Sequence, residues 1–199
     1  MIKIKICGLS RRCDIDAVNK EKPEYIGFVF AKSRRKITPQ QAFDLRKRLL
    51  PDIVPVGVFT DEAMGNIITL VENGVIDVIQ LHGSESGEYI GRLKAFTRKP
   101  VIKAVAVINE GDAQKQAETQ ADYLLLDGKS GGKGKRFNWD LVGKVEKPFF
   151  LAGGLNLENI GTALEKVKPF AVDVSSGVET DGFKDPAKIK EFIRMVRNG

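Results

Sequence analysis

The sequence holds 199 residues, 42% of them hydrophobic and 29% charged, with 32 Lys and Arg against 26 Asp and Glu for a formal net charge of +6. That apolar share can fill a core and excludes a disordered chain, the length suits one domain over residues 1–199, and no run of uncharged apolar residues is long enough to cross a membrane as a helix. The positive balance admits nucleic acid, an anionic surface or a small anionic substrate. The Lys and Arg residues are spread along the chain with few aromatics among them, so no nucleic-acid stacking platform is expected.

The first residues, Met1 to Cys7, lack the apolar run of a signal peptide and read as a strand. Cys7 and Cys13, with five residues between them, make no disulfide framework, and the expected setting is a reducing cytoplasm. From there one alternation recurs: a short β-branched run, a polar or glycine turn, then an amphipathic stretch of helical period. Strands are predicted at residues 2–7, 25–30, 54–59, 78–82, 101–107, 123–127, 148–152 and 170–175. Among the helices between them, Thr38-Pro39-Gln40-Gln41 supplies an N-cap, a Pro at the first turn and a Gln for a capping box. Thr60-Asp61-Glu62 is predicted to open the next helix and Asn73-Gly74 to close it. Ser84-Glu85, Asn109-Glu110, Asn156-Leu157-Glu158 and Asp185-Pro186 are predicted to start four more. Eight such units point to a single-domain (β/α)8 TIM barrel. A doubly wound open sheet is the alternative, but the first turn, Cys7-Gly8-Leu9-Ser10, does not fit G-x-G-x-x-G.

In a (β/α)8 barrel the chemistry sits at the C-terminal strand ends and the loops after them. Cys7 ends the first strand with Lys5 on its face, where an ammonium about 7 Å away favours thiolate. A small buried hydrophobe is the other reading of Cys7. Asp127 ends the sixth strand directly after Leu124-Leu125-Leu126, so it is either a cap or a group aimed into the barrel mouth. The barrel rule favours the mouth, where burial would suit a general acid. The glycine-rich stretch 128–135 lacks the P-loop pattern and reads as a flap facing an anion, or as a plain loop. Gly153-Gly154 and Asp173-Val174-Ser175-Ser176-Gly177 follow the seventh and eighth strands, where this fold often builds a phosphate site from backbone N–H groups. Arg35 suits bidentate capture of a carboxylate, although a surface charge would look the same. Gln80 and the single histidine, His82, share a strand face and offer polar contacts to a ligand. No second His or ligand spacing supports a metal site.

These segments resemble the phosphoribosylanthranilate isomerase family of tryptophan biosynthesis over essentially the whole chain. The resemblance rests on Lys5-Ile6-Cys7-Gly8, Gly27-Phe28-Val29-Phe30, Ser33-Arg34-Arg35, Gly57-Val58-Phe59, Gln80-Leu81-His82-Gly83, Leu125-Leu126-Asp127, Gly132-Lys133-Gly134 with Phe137-Asn138-Trp139, Ala152-Gly153-Gly154-Leu155-Asn156 and the run from Asp173 through Ser175, Ser176 and Gly177 to Glu179. It implies an Amadori rearrangement of a phosphorylated small molecule without a cofactor. Asp127 would be the general acid that opens the ribose ring and Cys7 the general base at C2. Arg35 would hold the anthranilate carboxylate, with Gly153, Gly154, Ser175, Ser176 and Gly177 on the phosphate and Lys5, Gln80, His82 and Asp173 as further substrate contacts. The sequence departs from the family in a short stretch between Asp127 and Gly131 and in Ala152 where other members have Ser. Two readings compete: the related Amadori isomerase of histidine biosynthesis, which uses Asp in place of Cys7 and is longer, and a noncatalytic basic module for nucleic acid. Neither a monomer nor a homodimer is favoured by the sequence.

Overall fold

A strand buried on both faces divides its side chains between two environments, one residue at a time. In the computed structural model, which describes residues 1–116, 118–128 and 138–199, β1 (Lys3–Cys7) sends Ile4 and Ile6 to the layer beneath the helices and Lys5 and Cys7 to the opposite face. Seven further strands repeat the division: β2 (Tyr25–Val29), β3 (Val54–Phe59), β4 (Val78–Leu81), β5 (Val101–Ala106), β6 (Tyr123–Asp127), β7 (Phe149–Leu151) and β8 (Ala171–Val174). All pair in parallel in chain order, and β1 pairs with β8 to close a (β/α)8 barrel.

The inward faces stack in layers. Tyr25, Val56, Val78, Ile102, Leu125, Phe150 and Ala171 make an apolar plug in which the Phe150 ring meets Tyr25, Tyr123 and Phe170 at centroid distances of 5.5 to 5.7 Å. Above the plug the same faces carry Lys5, Gln80 and Asp173, then Cys7, Val29, Val58 and Asp127. Register explains the meeting of residues far apart in sequence: Lys5 lies beside Asp173 of β8, and Cys7 beside Gly27 of β2.

The helices are α1 (Arg12–Glu21), α2 (Pro39–Arg46), α3 (Met64–Glu72), α4 (Gly87–Thr97), α5 (Asp112–Lys115), α6 (Ile160–Lys166) and α7 (Pro186–Asn198). Thr38 and Gln41 form the predicted capping box at α2, Asn73 caps α3 before Gly74 at φ +66°, and Asp185 caps α7. No predicted strand end moves by more than one residue.

Four helix starts differ from expectation. The helices begin at Met64, Gly87, Asp112 and Ile160, because the polar residues ahead of them tie loops instead. Asp61 Oδ1 accepts from Ser84 N–H at 2.7 Å, and Asn156 Oδ1 accepts from the N–H groups of Glu158 and Asn159. Between β6 and β7 a 3-10 turn at Trp139–Val142 precedes the next strand. A hairpin that the sequence reading did not include, β9 (Glu179–Thr180) with β10 (Phe183–Lys184), follows β8 through a turn at Asp181 (φ 51°) and Gly182 (φ 84°). Of the stretch 128–135 read above as a flap, residues 129–135 lie outside the described residues.

One buried ion pair holds the loop after β4. Lys103 Nζ lies 2.7 Å from Glu85 and also donates to Gly83 O, while Glu85 accepts from the N–H groups of Gly83 and Asp61. Burial alone would push the Glu85 carboxyl up, but Lys103 and these backbone N–H groups outweigh it and hold the group below its ordinary 4.5. A depressed acid contributes stability above its unfolded value and loses it as pH falls. Glu85→Ala strands a buried ammonium and is expected to cost on the order of 3 kcal/mol at pH 7, read by urea denaturation. The gap to wild type should narrow as pH falls below about 4.5.

Candidate active site

The C-terminal strand ends enclose a cavity of about 350 Å³ lined by Cys7, Arg35, Gln80, His82, Asp127, Gly153, Gly154, Asp173, Ser175 and Ser176. Ten of the twelve sequence-predicted site residues therefore face one space. The other two support it from behind. Lys5, expected to touch substrate, is wholly buried beneath Cys7 and donates to Asp173 Oδ1 at 2.9 Å. Gly177 packs where an added Cβ would lie 1.9 Å from Leu155 O, so it seals the loop after β8 onto the loop after β7.

Cys7 and Lys5 meet at a glycine. A Cβ on Gly27 would sit 2.7 Å from Cys7 Sγ and 3.2 Å from Lys5 Nζ, so the missing side chain is what admits the thiol and the ammonium side by side. Burial pushes the Cys7 thiol above its ordinary value; the Lys5 charge opposes this but does not cancel it. Lys5 itself is held above its ordinary value: burial lowers it, and Asp173 with Cys7 outweighs the burial.

Across the mouth, Asp127 Oδ1 accepts from Gly128 N–H at 2.7 Å, and Oδ2 lies 3.8 Å from His82 Nε2. His82 Nδ1 is 3.2 Å from Gln80 Nε2. Burial lowers the imidazole's pKa despite the Asp127 carboxylate, so His82 is neutral at pH 7. The sole histidine is thus a neighbour of the terminal Asp rather than a free cation.

The third wall is backbone. Gly153 and Gly154 adopt φ of 81° and 72°, which turns the chain after β7 toward the cavity at little steric cost. Among the described residues, no protein acceptor takes the N–H groups of Gly153, Gly154 or Ser176, which suits them to an anion. Ser175 lines the same cavity, but its hydroxyl donates to Cys7 O at 2.9 Å and lies 3.3 Å from Lys184 Nζ, so the hydroxyl has no free proton to offer.

Arg35 is also engaged. Its Nε and Nη2 donate to the two oxygens of Glu179 at 2.7 and 2.8 Å, so its side-on fork is occupied and, among the described residues, the end-on Nη1/Nη2 edge remains. Glu179 lies within a segment that matches the family, and the sequence assigns it no role of its own. The local signal for its position is Asp181-Gly182, a hairpin dipeptide. Among the described residues no group of three or more His, Cys, Asp or Glu is placed to hold a metal ion, and no helix is long and apolar enough to cross a membrane.

A sequence profile of the family described as N-(5'phosphoribosyl)anthranilate (PRA) isomerase matches residues 4–195. The N-(5'-phosphoribosyl)anthranilate isomerase of Endomicrobium trichonymphae is 50% identical over the full length of both chains, and that of Clostridium acetobutylicum is 47% identical over 99% of this chain and 98% of its own. Among solved structures, phosphoribosyl anthranilate isomerase from Thermotoga maritima superposes with a TM-score of 0.91 at 38% identity, covering 100% of both chains. Another, in complex with reduced 1-(o-carboxyphenylamino)-1-deoxyribulose 5-phosphate, gives a TM-score of 0.89 at 36% identity over 100% of both.

Two measurements test the thiol's surroundings. In a Cys13→Ser background, alkylation of Cys7 should rise with pH to a midpoint above the ordinary 9.0, and Lys5→Met should move it higher, because the cation that opposes burial is gone. Gly27→Ala should destabilise the fold by about 1–3 kcal/mol through overpacking, read as a lowered denaturation midpoint.

Proposed function

The chain belongs to the phosphoribosylanthranilate isomerase family, isomerases of tryptophan biosynthesis, and on that premise we propose that Cys7 and Asp127 carry its proton transfers. The substrate in this reading is N-(5-phosphoribosyl)anthranilate, which carries one carboxylate and one phosphate. The observation that carries the proposal is the placement of Cys7 and Asp127 on separate strands around one cavity whose third wall is a row of N–H groups with no acceptor among the described residues.

The phosphate is read as docking on the Gly153, Gly154 and Ser176 N–H groups, and the carboxylate as docking on the open edge of Arg35. Two anchors at the ends of the substrate hold the ribose between acid and base and remove the need to turn it between steps. Asp127, entering protonated, gives its proton to the ring oxygen; the C1–O bond breaks and the nitrogen lone pair forms the C1=N bond of a protonated Schiff base. The Cys7 thiolate then takes the proton from C2, and the C2–H electrons move toward nitrogen to give an enolamine. Return of a proton to C1 and loss of the C2 hydroxyl proton yield 1-(2-carboxyphenylamino)-1-deoxyribulose 5-phosphate. Atoms are conserved, no external oxidant is needed, and both protons can return to the groups that exchanged them.

His82 supports the acid side in this scheme. As a neutral neighbour it adds no positive charge of its own beside the Asp127 carboxyl. Lys5 supports the base side by opposing, at close range, the burial that favours the thiol.

The deciding experiment is the loss of substrate fluorescence when the protein is added to freshly generated N-(5-phosphoribosyl)anthranilate. Wild type should turn over, and Cys7→Ala and Asp127→Asn should each lower kcat by about 10²- to 10⁴-fold. Either variant within tenfold of wild type would remove that residue from its role.

A further inference from the structure

We propose that Glu179 is a positioning residue: it clamps the Arg35 guanidinium against the cavity wall and, through Lys184 and Ser175, ties that anchor to the backbone of Cys7. The inference rests on the reading of Arg35 as the anchor for the substrate carboxylate.

Glu179 is the hub of a charged cluster off the catalytic strands. Its side chain is 4% exposed, yet three cations surround it. Arg35 Nε and Lys184 Nζ donate to Oε1, and the Nη2 groups of Arg35 and Arg34 donate to Oε2. One carboxylate against three cations leaves the cluster with a net positive charge beside the cavity, so it remains attractive to a second carboxylate. Occupation of the side-on edge of Arg35 turns the Nη1/Nη2 edge into the available one.

The other contacts make the clamp rigid. Gly8, at φ +87°, leaves room for the Arg35 stem, since a Cβ there would lie 2.4 Å from Cδ. The hairpin bearing Glu179 is pinned from two sides: Arg11 Nη2 donates to Lys184 O at 2.9 Å, and Lys188 Nζ donates to Glu179 O at 2.9 Å. Lys184, its side chain 1% exposed, also donates to Ser175 O at 3.0 Å, and Ser175 Oγ donates to Cys7 O. An unbroken path of polar contacts therefore runs from the carboxylate anchor to the residue read as the base. Without Glu179, Arg35 is a flexible side chain that must be ordered at each binding event.

The experiment compares two ligands: the reduced product analogue 1-(2-carboxyphenylamino)-1-deoxyribulose 5-phosphate and its phenylamino counterpart without the carboxylate. Glu179→Gln should weaken the first by about 10- to 100-fold and leave the second within threefold, with KM for the substrate rising by the same factor as the first and kcat changing less. Glu179→Asp, which keeps the charge, should recover part of the loss. Because Glu179→Gln strands the buried Lys184, the paired variant Glu179→Gln/Lys184→Met is measured beside it and should show the same ligand discrimination at restored stability. Equal weakening of both ligands, or unchanged affinity in a folded variant, overturns the proposal. Arg35→Met separates it from the reading beneath: if Arg35→Met fails to discriminate the ligands, the carboxylate anchor itself is misassigned, whereas discrimination by Arg35→Met without discrimination by Glu179→Gln rejects only the clamp.

Discussion

An ammonium with no exposure to water is tolerated only with a partner, and the upper barrel is organised around that requirement at Lys5. Asp173 meets it from the neighbouring strand at 2.9 Å, in the register that closes β1 onto β8. The pair lies above an aromatic plug and directly below Cys7, so the layer that would otherwise be more plug becomes a charged floor. Cys7 then feels two opposing effects. Burial favours the thiol and Lys5 favours the thiolate; burial wins, and the thiol stays above its ordinary value. A mobile or hydrated lysine would leave the buried sulfur with burial and the Asp173 charge, opposed only by Lys184.

The positive excess of the sequence is similarly concentrated by tertiary structure. Spread along the chain it reads as solvated surface, but three of the cations converge on Glu179 from the loop after β2 and from the β9–β10 hairpin, while Lys103 sits buried against Glu85. Burial pushes both acids up, but Arg35 and Lys184 hold Glu179, and Lys103 with backbone N–H groups holds Glu85, below the ordinary value, so both carboxyls stay ionised at neutral pH. The cluster around Glu179 keeps a positive surplus at the mouth; the pair at Glu85 is balanced and fixes a loop.

How much of this was legible in the sequence follows from how local each cause is. Strand positions were legible to within a residue because alternation acts on consecutive side chains, and the same alternation placed Lys5 with Cys7, Gln80 with His82, and Asp127 at a strand end. Helix starts were less legible. Ser, Thr, Asp and Asn offer their oxygens equally to a helix end and to a turn, and Asp61 and Asn156 took the turn. The partners of Arg35 were not legible at all, because Glu179 is 144 residues away and arrives on a hairpin whose local signal is only Asp-Gly. Gly27 looked like one more strand residue; its role depends on what β1 places against it.

One buried amide sets the tautomer of the ring that faces Asp127. Gln80 is nearly inaccessible, and with its Nε2 directed at His82 Nδ1 its Oε1 has no partner among the described residues. In that orientation Nδ1 is the acceptor, the imidazole proton sits on Nε2, and it points toward Asp127 Oδ2 at 3.8 Å. Rotating the amide by 180° reverses the arrangement, placing the proton on Nδ1 and a bare Nε2 lone pair opposite Asp127. Both tautomers are neutral, in keeping with the lowered pKa of the ring. The first stabilises an ionised Asp127 and the second a protonated one. The ring can therefore present either a proton or a lone pair to Asp127 without moving a net charge through the barrel.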